Sequence, residues 1–303
     1  MLNSIISPVY NAEGIVKRLI HEIQNVCNDE KIDYEVILVD DRSKDKSWNV
    51  IAEECQKVSN IKGIRLSRNF GQHAAITAGV SIAKGDYIII MDCDLQDNPK
   101  YIPDLIRKAK LGYNVVCTLK KTKNHSYFRK LSSKFFFFLI NLLSDINLEK
   151  NLGTMTLIDK KISKEFLKIK DLHRHTSILF KRIGFERGFI NVEHDDRLIG
   201  KSSYNTRKLI SHAINGIISN SKTLLNFSIY FGLSLVLISI VMIIILIIKS
   251  TTIDFVIGWP SLIVTILFST GLVLFMLGIQ GLYTGKIFEQ SKDSPIYIID
   301  QHI

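Results

Sequence analysis

Hydrophobic positions in the first 120 residues come in short runs rich in β-branched side chains, each followed by a stretch with helical spacing. That alternation predicts an α/β domain built on a mostly parallel sheet, covered on both faces. The predicted strands are Asn3 to Ser7, Tyr34 to Asp40, Ile61 to Ser67, Tyr87 to Asp92 and Asn114 to Thr118. Helices fill the gaps, with Asp45 as an N-cap and Pro99 opening a helix, where its missing N–H costs nothing. No internal repeat or low-complexity linker interrupts the pattern.

The pattern changes at Leu224. From there to Ile248, 25 consecutive residues carry no charge, more than the roughly 20 needed to cross about 30 Å of hydrocarbon. A second uncharged run lies between Phe255 and Tyr283, with Trp259 and Tyr283 near its ends, where interfacial aromatics belong. Together they predict a C-terminal hairpin of two transmembrane helices, about 224–248 and 257–281. Arg207, Lys208 and Lys222 precede the first span, and Lys286 and Lys292 follow the second. The positive-inside rule then puts both termini in the cytoplasm, as expected of a multi-pass plasma-membrane protein.

Ahead of the hairpin, Leu209, Ile210, Ala213, Ile214, Ile217 and Ile218 share one helical face, so 201–223 is expected to be a juxtamembrane interfacial segment. Tyr127 to Asp145 combines Arg129, Lys130 and Lys134 with four consecutive Phe, and fits either a core helix or a helix lying on anionic lipid. The expected organisation is a soluble domain over 1–200, the interfacial segment over 201–223, the hairpin over 224–283 and a cytoplasmic tail over 284–303.

At 303 residues there is room for one domain of ordinary size beside the membrane element. The net charge of +10 favours anionic partners: nucleic acid, nucleotide phosphates or the face of a bilayer. Composition does not choose among them. Cys27, Cys55, Cys93 and Cys117 have neither metal-ligand spacing nor the density of a disulfide scaffold, and read as reduced thiols. The first residues, MLNSIISPVYNAEG, lack the basic start of a signal peptide and reach Pro8 and Gly14 too early for one.

The chemistry lies where the predicted strands end, because open α/β sheets bind ligands beyond the carboxyl ends of their strands. The first strand runs into Pro8, Tyr10, Asn11 and Glu13, and the second into Asp40-Asp41-Arg42-Ser43. The third runs into Arg68-Asn69, and the fourth into Asp92-Cys93-Asp94-Leu95-Gln96-Asp97. Four polar strand ends on one sheet edge predict a common site. Asp92 and Asp94 offer hard oxygen donors for Mg2+ or Mn2+, with a nucleotide diphosphate completing the shell. A D-x-D triplet alone also suits a turn.

Asp40 or Asp41 can accept from a ribose hydroxyl or a base N–H, or else cap the helix containing Trp48. Gly71, Ala74, Ala75, Ala78 and Gly79 permit close approach to the sheet or to a nucleotide, and His73 among them reads as a satisfied polar residue. Arg197, Lys201 and Ser203 precede the interfacial segment, where a guanidinium, an ammonium and hydroxyls can meet a phosphate at membrane depth. A basic loop touching lipid headgroups is the other reading.

PVYN, VDDRS, LSRNFGQHAAITAG, MDCDLQD and HDDRLIGKSSY occur in that order, ahead of two apolar runs. In these segments the chain resembles family 2 glycosyltransferases of GT-A (Rossmann-like) fold, in particular polyprenyl-phosphate hexosyltransferases related to dolichyl-phosphate mannose synthase and the bactoprenol glucosyltransferases. The resemblance implies an inverting transfer of a sugar, with a UDP-hexose as the expected donor, to polyprenyl (undecaprenyl) phosphate at the cytoplasmic leaflet. It implies nucleotide contacts at Pro8, Tyr10, Asn11, Glu13 and Asp40, and metal and diphosphate contacts at Asp92, Asp94 and Gln96. Asp41 and Arg68 are added to the nucleotide set from their strand-end positions. Asp94, Arg197 and Lys201 form the expected catalytic set, with Gln96 and Ser203 beside the diphosphate and the acceptor. The expected partners are a nucleotide sugar, polyprenyl phosphate and the bilayer, with no nucleic acid and with a homo-oligomer left open.

One departure stands out. Many members of that family carry Gly-Asp-Phe-Arg where this chain has Gly153-Thr154-Met155-Thr156, so an acid often proposed as the base is missing. A phosphate monoester, with a second pKa of about 6, is already largely ionised at neutral pH and can attack without losing a proton. Two rivals remain: transfer to a glycerolipid or growing glycan, and a non-catalytic nucleotide-sugar-binding membrane protein.

Overall fold

Opposite faces of each central strand bury apolar side chains, so the sheet must be covered twice. In β1 (Asn3–Val9) Ile5 and Val9 face one layer and Ile6 the other. β2 (Tyr34–Asp40) divides Val36 and Leu38 from Ile37 and Val39 in the same way. This period of two, apolar on both sides, is expected of strands buried between two helical layers. The computed structural model describes residues 1–120, 151–172, 174–193, 223–250 and 259–303.

The remaining elements of the α/β unit follow in chain order. They are α1 (Glu13–Asp29), α2 (Ser47–Lys57), β3 (Ile61–Leu66), α3 (Gln72–Ile82), β4 (Tyr87–Ile90), α4 (Ile102–Ala109), β5 (Val115–Lys120), β6 (Leu152–Asp159), α5 (Lys160–Lys168), α6 (Thr176–Ile183) and β7 (Arg187–Val192). A 3-10 turn at Pro99–Tyr101 leads into α4. Helices α1, α2 and α4 pack one layer, and α3, α5 and α6 the other. The sheet order is β7-β5-β6-β4-β1-β2-β3-β8, where β8 is Ile299–His302. β1 pairs in parallel with both β2 and β4, and β2 with β3, whereas β6 runs antiparallel between β4 and β5.

Five predicted strands are present, β2 with the predicted bounds. β4 stops at Ile90, which releases Met91 and Asp92 into the loop that follows. Strands β6, β7 and β8 were not predicted. Helix α2 begins one residue later than an Asp45 cap implies: Lys46 holds the N-cap position, while Asp45 Oδ1 accepts from Ser47 N (3.0 Å) and Ser47 Oγ (2.6 Å). The small-residue face of α3 serves the sheet at Gly79, where a Cβ would lie 2.4 Å from Ile6 Cγ2.

The chain divides into two compact units. Beyond the α/β unit, which includes β8, the second contains α7 (Thr223–Ser250) and α8 (Trp259–Ser291). Among the described residues one stretch, Phe268–Ser291, is long and apolar enough to cross a membrane. Leu274, Phe275 and Leu277 within it are exposed. The predicted interfacial segment over 201–223 and the Tyr127 to Asp145 helix fall outside the described residues, apart from Thr223 at the start of α7.

At the amino end of the sheet a buried carboxylate ties three elements together. Glu35 accepts from Ser4 Oγ (2.6 Å), Lys84 N (2.7 Å) and Lys62 Nζ (2.5 Å). Burial pushes its pKa up, but the donors Lys62, Ser4 and Lys84 outweigh that and hold it below the ordinary 4.5. A depressed carboxylate pKa adds stability that is complete above the unfolded value and fades as pH falls through the folded one. Glu35→Gln is therefore expected to cost about 1.5–3 kcal/mol at neutral pH, the worth of a hydrogen bond to a charged group. Its thermal midpoint should also fall less than that of the parent on acidification below about pH 4.5, which a melting series from pH 7 to 3 checks.

Candidate active site

The chain steps from β1 to β2 and β3 on one side, then returns to place β4 on the other side of β1. Such a reversal opens a crevice at the carboxyl ends of β1 and β4, the usual ligand position in open α/β sheets. Three loops at this edge hold a non-glycine residue in the left-handed region: Asn11 (φ 50°), Arg42 (φ 56°) and Leu95 (φ 56°). Each such residue costs about 1–2 kcal/mol and persists only where its surroundings over-determine it.

The loops after β1 and β2 are stitched to each other. Asn11 N donates to Ser43 Oγ (3.0 Å), and Asn11 Oδ1 accepts from Lys44 N (2.9 Å). Glu13 Oε2 accepts from Lys46 N (2.8 Å), and Ala12 N donates to Ser47 Oγ (2.9 Å). Pro8 is buried and Tyr10 exposed. Asp40 is fully buried; its carboxylate accepts from Ser43 N (3.2 Å) and pairs with Arg65 Nε (3.4 Å). Asp41 staples the next loop, accepting from Phe70 N (2.7 Å) and Gly71 N (2.8 Å) at the start of α3. Burial raises the Asp41 pKa, against the two backbone donors. Arg68 is exposed, its guanidinium 4.1 Å from the centre of the Phe70 ring. Asn11, Glu13, Asp40 and Asp41 thus shape the loops with the same groups expected to meet a nucleotide.

The acidic loop after β4 is anchored by Leu95, whose side chain is buried, while Asp92, Asp94 and Gln96 are half-buried at the crevice. Asp94 Oδ1 accepts from Gln96 N (3.2 Å), and Gln72 Nε2, on the first turn of α3, donates to Asp92 Oδ1. Asp97 points inward, and its Oδ2 accepts from Thr154 N (3.1 Å), Thr154 Oγ1 and Met155 N (3.0 Å) on β6. Burial above all, then the charges of Asp94 and Asp97, push the Asp92 carboxyl up to about 6. An acid crowded by others and raised in this way fits a divalent cation, whose charge would relieve the repulsion on Asp92. No group of three His, Cys, Asp or Glu forms a metal cage among the described residues. Two carboxylates are nonetheless the usual protein share of a Mg2+ site completed by phosphate and water.

The sequence-based expectation missed Gln72 and gave no role to Asp97; Thr154 entered it only as a departure. Asp97 was visible as an acid beside the D-x-D triplet, whereas only the pairing of β6 with β4 brings Thr154 to it. Gly153 has a steric reason, since a Cβ there would lie 2.0 Å from Thr118 Oγ1 on β5. His73 is satisfied as expected, its Nδ1 2.8 Å from Thr176 Oγ1 and its ring edge-on to His175. Arg197, Lys201 and Ser203 lie outside the described residues.

Known proteins resemble both the sequence and this architecture. The glycosyl transferase family 2 model matches residues 4–167. The chain is 34% identical over 303 residues to the uncharacterized glycosyltransferase YkcC of Bacillus subtilis (strain 168), covering 98% of this chain and 93% of that one. It is 31% identical over 310 residues to the undecaprenyl-phosphate 4-deoxy-4-formamido-L-arabinose transferase of Edwardsiella ictaluri (strain 93-146), covering 98% and 92%. In three dimensions it resembles glucosyl-3-phosphoglycerate synthase from Mycobacterium tuberculosis, crystallised with Mn2+, uridine diphosphate and glucosyl-3-phosphoglycerate. The TM-score is 0.50 at 15% identity, over 72% of this chain and 78% of that one. At that identity the likeness is one of fold.

Proposed function

The chain belongs to glycosyl transferase family 2 and is a glycosyltransferase, and on that premise we propose that it moves a sugar from a nucleotide donor to polyprenyl phosphate at the cytoplasmic leaflet, with inversion. The observation that carries the reading is the half-buried Asp92 and Asp94 pair at the β1/β4 crevice, beside the loops after β1 and β2. The Mn2+ and uridine diphosphate held by the mycobacterial synthase support a metal-assisted nucleotide donor. The acceptor named for the Edwardsiella relative supports a polyprenyl phosphate. The apolar stretch Phe268–Ser291 supports presentation of the site at a membrane, and the uncharged run from Leu224 to Ile248 supports a second span.

In this reading Asp92 and Asp94 hold Mg2+ or Mn2+, with Gln96 beside the diphosphate. Pro8, Tyr10, Asn11, Glu13, Asp40, Asp41 and Arg68 surround the nucleoside. When bound, the cation supplies Lewis-acid stabilisation of the departing diphosphate. Arg197 and Lys201, with Ser203, hold the acceptor phosphate in line with the sugar, which converts a two-body encounter into a positioned one. A phosphate oxygen forms the new bond to the anomeric carbon, and the bond from that carbon to the diphosphate oxygen breaks with its electron pair leaving on the nucleotide. No proton is removed from the nucleophile, so Thr154 in place of an acid does not block the step.

The test incubates the purified protein, Mn2+ and radiolabelled nucleotide sugars with polyprenyl phosphate. Acid-labile label in the lipid phase is the expected result. Acid-stable glycolipid made from glycerolipid instead would replace the acceptor, and nucleotide-sugar binding without turnover across all acceptors would leave only a binding protein.

A further inference from the structure

The chain that leaves α8 at Ser291 returns to the sheet within a few residues. Tyr297 OH donates to Ser81 Oγ (2.9 Å) near the end of α3, and its ring packs on the α3 layer of the core. Ser67 N donates to Ile298 O (2.9 Å), and Gly63 and Ile303 exchange both backbone bonds at 2.9 Å each. β8 thus runs antiparallel along β3, with His302 opposite Ile64 and Gln301 opposite Arg65. The fit at its far end is close: a Cβ on Gly63 would lie 2.7 Å from Ile51 Cγ2 and 3.0 Å from Ile303 Cγ1. Covering the open edge of β3 explains a strand here. It does not explain what β8 holds.

At one point β8 reaches the loop after β2, and at a second it lies beside the β3 residue that pairs with Asp40. Asp300 Oδ2 accepts from Arg42 Nη1 at 2.5 Å, across 258 residues of sequence. Arg42 is the residue of that loop with a left-handed backbone, flanked by the Asp41 staple and by Ser43, which Asp40 and Asn11 hold. Arg65, opposite Gln301, carries the guanidinium that pairs with Asp40. We propose that β8 is a positioning element of the donor site: by pairing with β3 and holding Arg42 through Asp300, it sets the conformation of residues 40–43. Asp300 is a positioning residue that acts through Arg42. The segment after the last apolar helix then belongs functionally to the nucleotide loop.

This rests on the reading of Asp40 and Asp41 as nucleotide-binding, and the experiment separates the two. Full-length protein in detergent is titrated with UDP and with GDP by calorimetry, and its thermal midpoint is measured in parallel. Asp300→Asn and Arg42→Gln are each expected to weaken the preferred nucleotide about two- to fivefold, the range of an exposed ion pair, with an unchanged midpoint. Exchanging the charges, Arg42→Asp with Asp300→Arg, should recover most of the loss. Unchanged affinity in the single variants, or a loss that appears only together with a lowered midpoint, overturns the inference and leaves β8 as an edge cover. A parent protein that binds neither nucleotide removes the donor-site reading, and this inference with it.

Discussion

Asp94→Asn is expected to lower the turnover number for sugar transfer by about two to three orders of magnitude, the usual cost of removing one group that stabilises developing charge in an enclosed site. The amide keeps the size of the side chain and an oxygen that can accept from Gln96 N, so the fold should be little affected. Half of the negative charge of the Asp92 and Asp94 pair is lost, and with it much of the hold on a divalent cation. The substitution also removes one of the charges that raise the Asp92 pKa to about 6, so Asp92 should ionise more readily in the variant. Its carboxylate alone would then face the diphosphate. Steady-state transfer with varied Mn2+, together with Mn2+ binding followed by electron paramagnetic resonance, measures both effects. Full metal-dependent transfer by the variant would remove Asp94 from the metal site.

Asp97→Ala should be the most destabilising single change at the site. Asp97 is 2% exposed and gathers donors from Thr154 and Met155, so it connects the acidic loop to β6 through one carboxylate oxygen. Alanine leaves the buried Met155 N–H without its acceptor and exposes Thr154 N and Oγ1 to whatever water can enter. At about 1–3 kcal/mol for each stranded buried donor, a loss of about 2–4 kcal/mol is expected. Asp97→Asn keeps one acceptor oxygen and should cost about half as much. The difference appears as a graded fall in thermal midpoint across parent, Asn and Ala. An unchanged midpoint in Asp97→Ala would mean that the loop is held elsewhere. Transfer should fall with stability here, because the loop that Asp97 anchors carries Asp92 and Asp94.

Much of the candidate site was legible because a parallel strand writes its end into the sequence. An apolar run such as IIIM followed by Asp92 shows both where burial stops and which side chains stand at the crevice. The same regularity made Pro8 to Glu13, Asp40, Asp41 and Arg68 visible together. β6 was not legible. Its strand, Leu152–Asp159, contains Gly153, two Thr and an acidic end, and it lies after the irregular stretch that interrupts the α/β pattern. β8, Ile299–His302, is shorter still, with all four residues exposed, so hydrophobic periodicity had little to register.

Local patterning determined the strands and helices of the first 120 residues, because a side chain's burial along a strand or helix follows from its own spacing. It also determined the long apolar runs, whose length and lack of charge are properties of the sequence itself. Partnership across the chain was decided only in the tertiary structure. Whether Asp41 would meet a ligand or the amides of Phe70 and Gly71 depends on a loop 29 residues away. That Asp97 holds β6, and that Asp300 reaches Arg42, depends on which strand lies beside which in the sheet. Hydrogen bonds and ion pairs need groups within about 3–4 Å, and no periodicity in the sequence encodes that distance for residues so far apart.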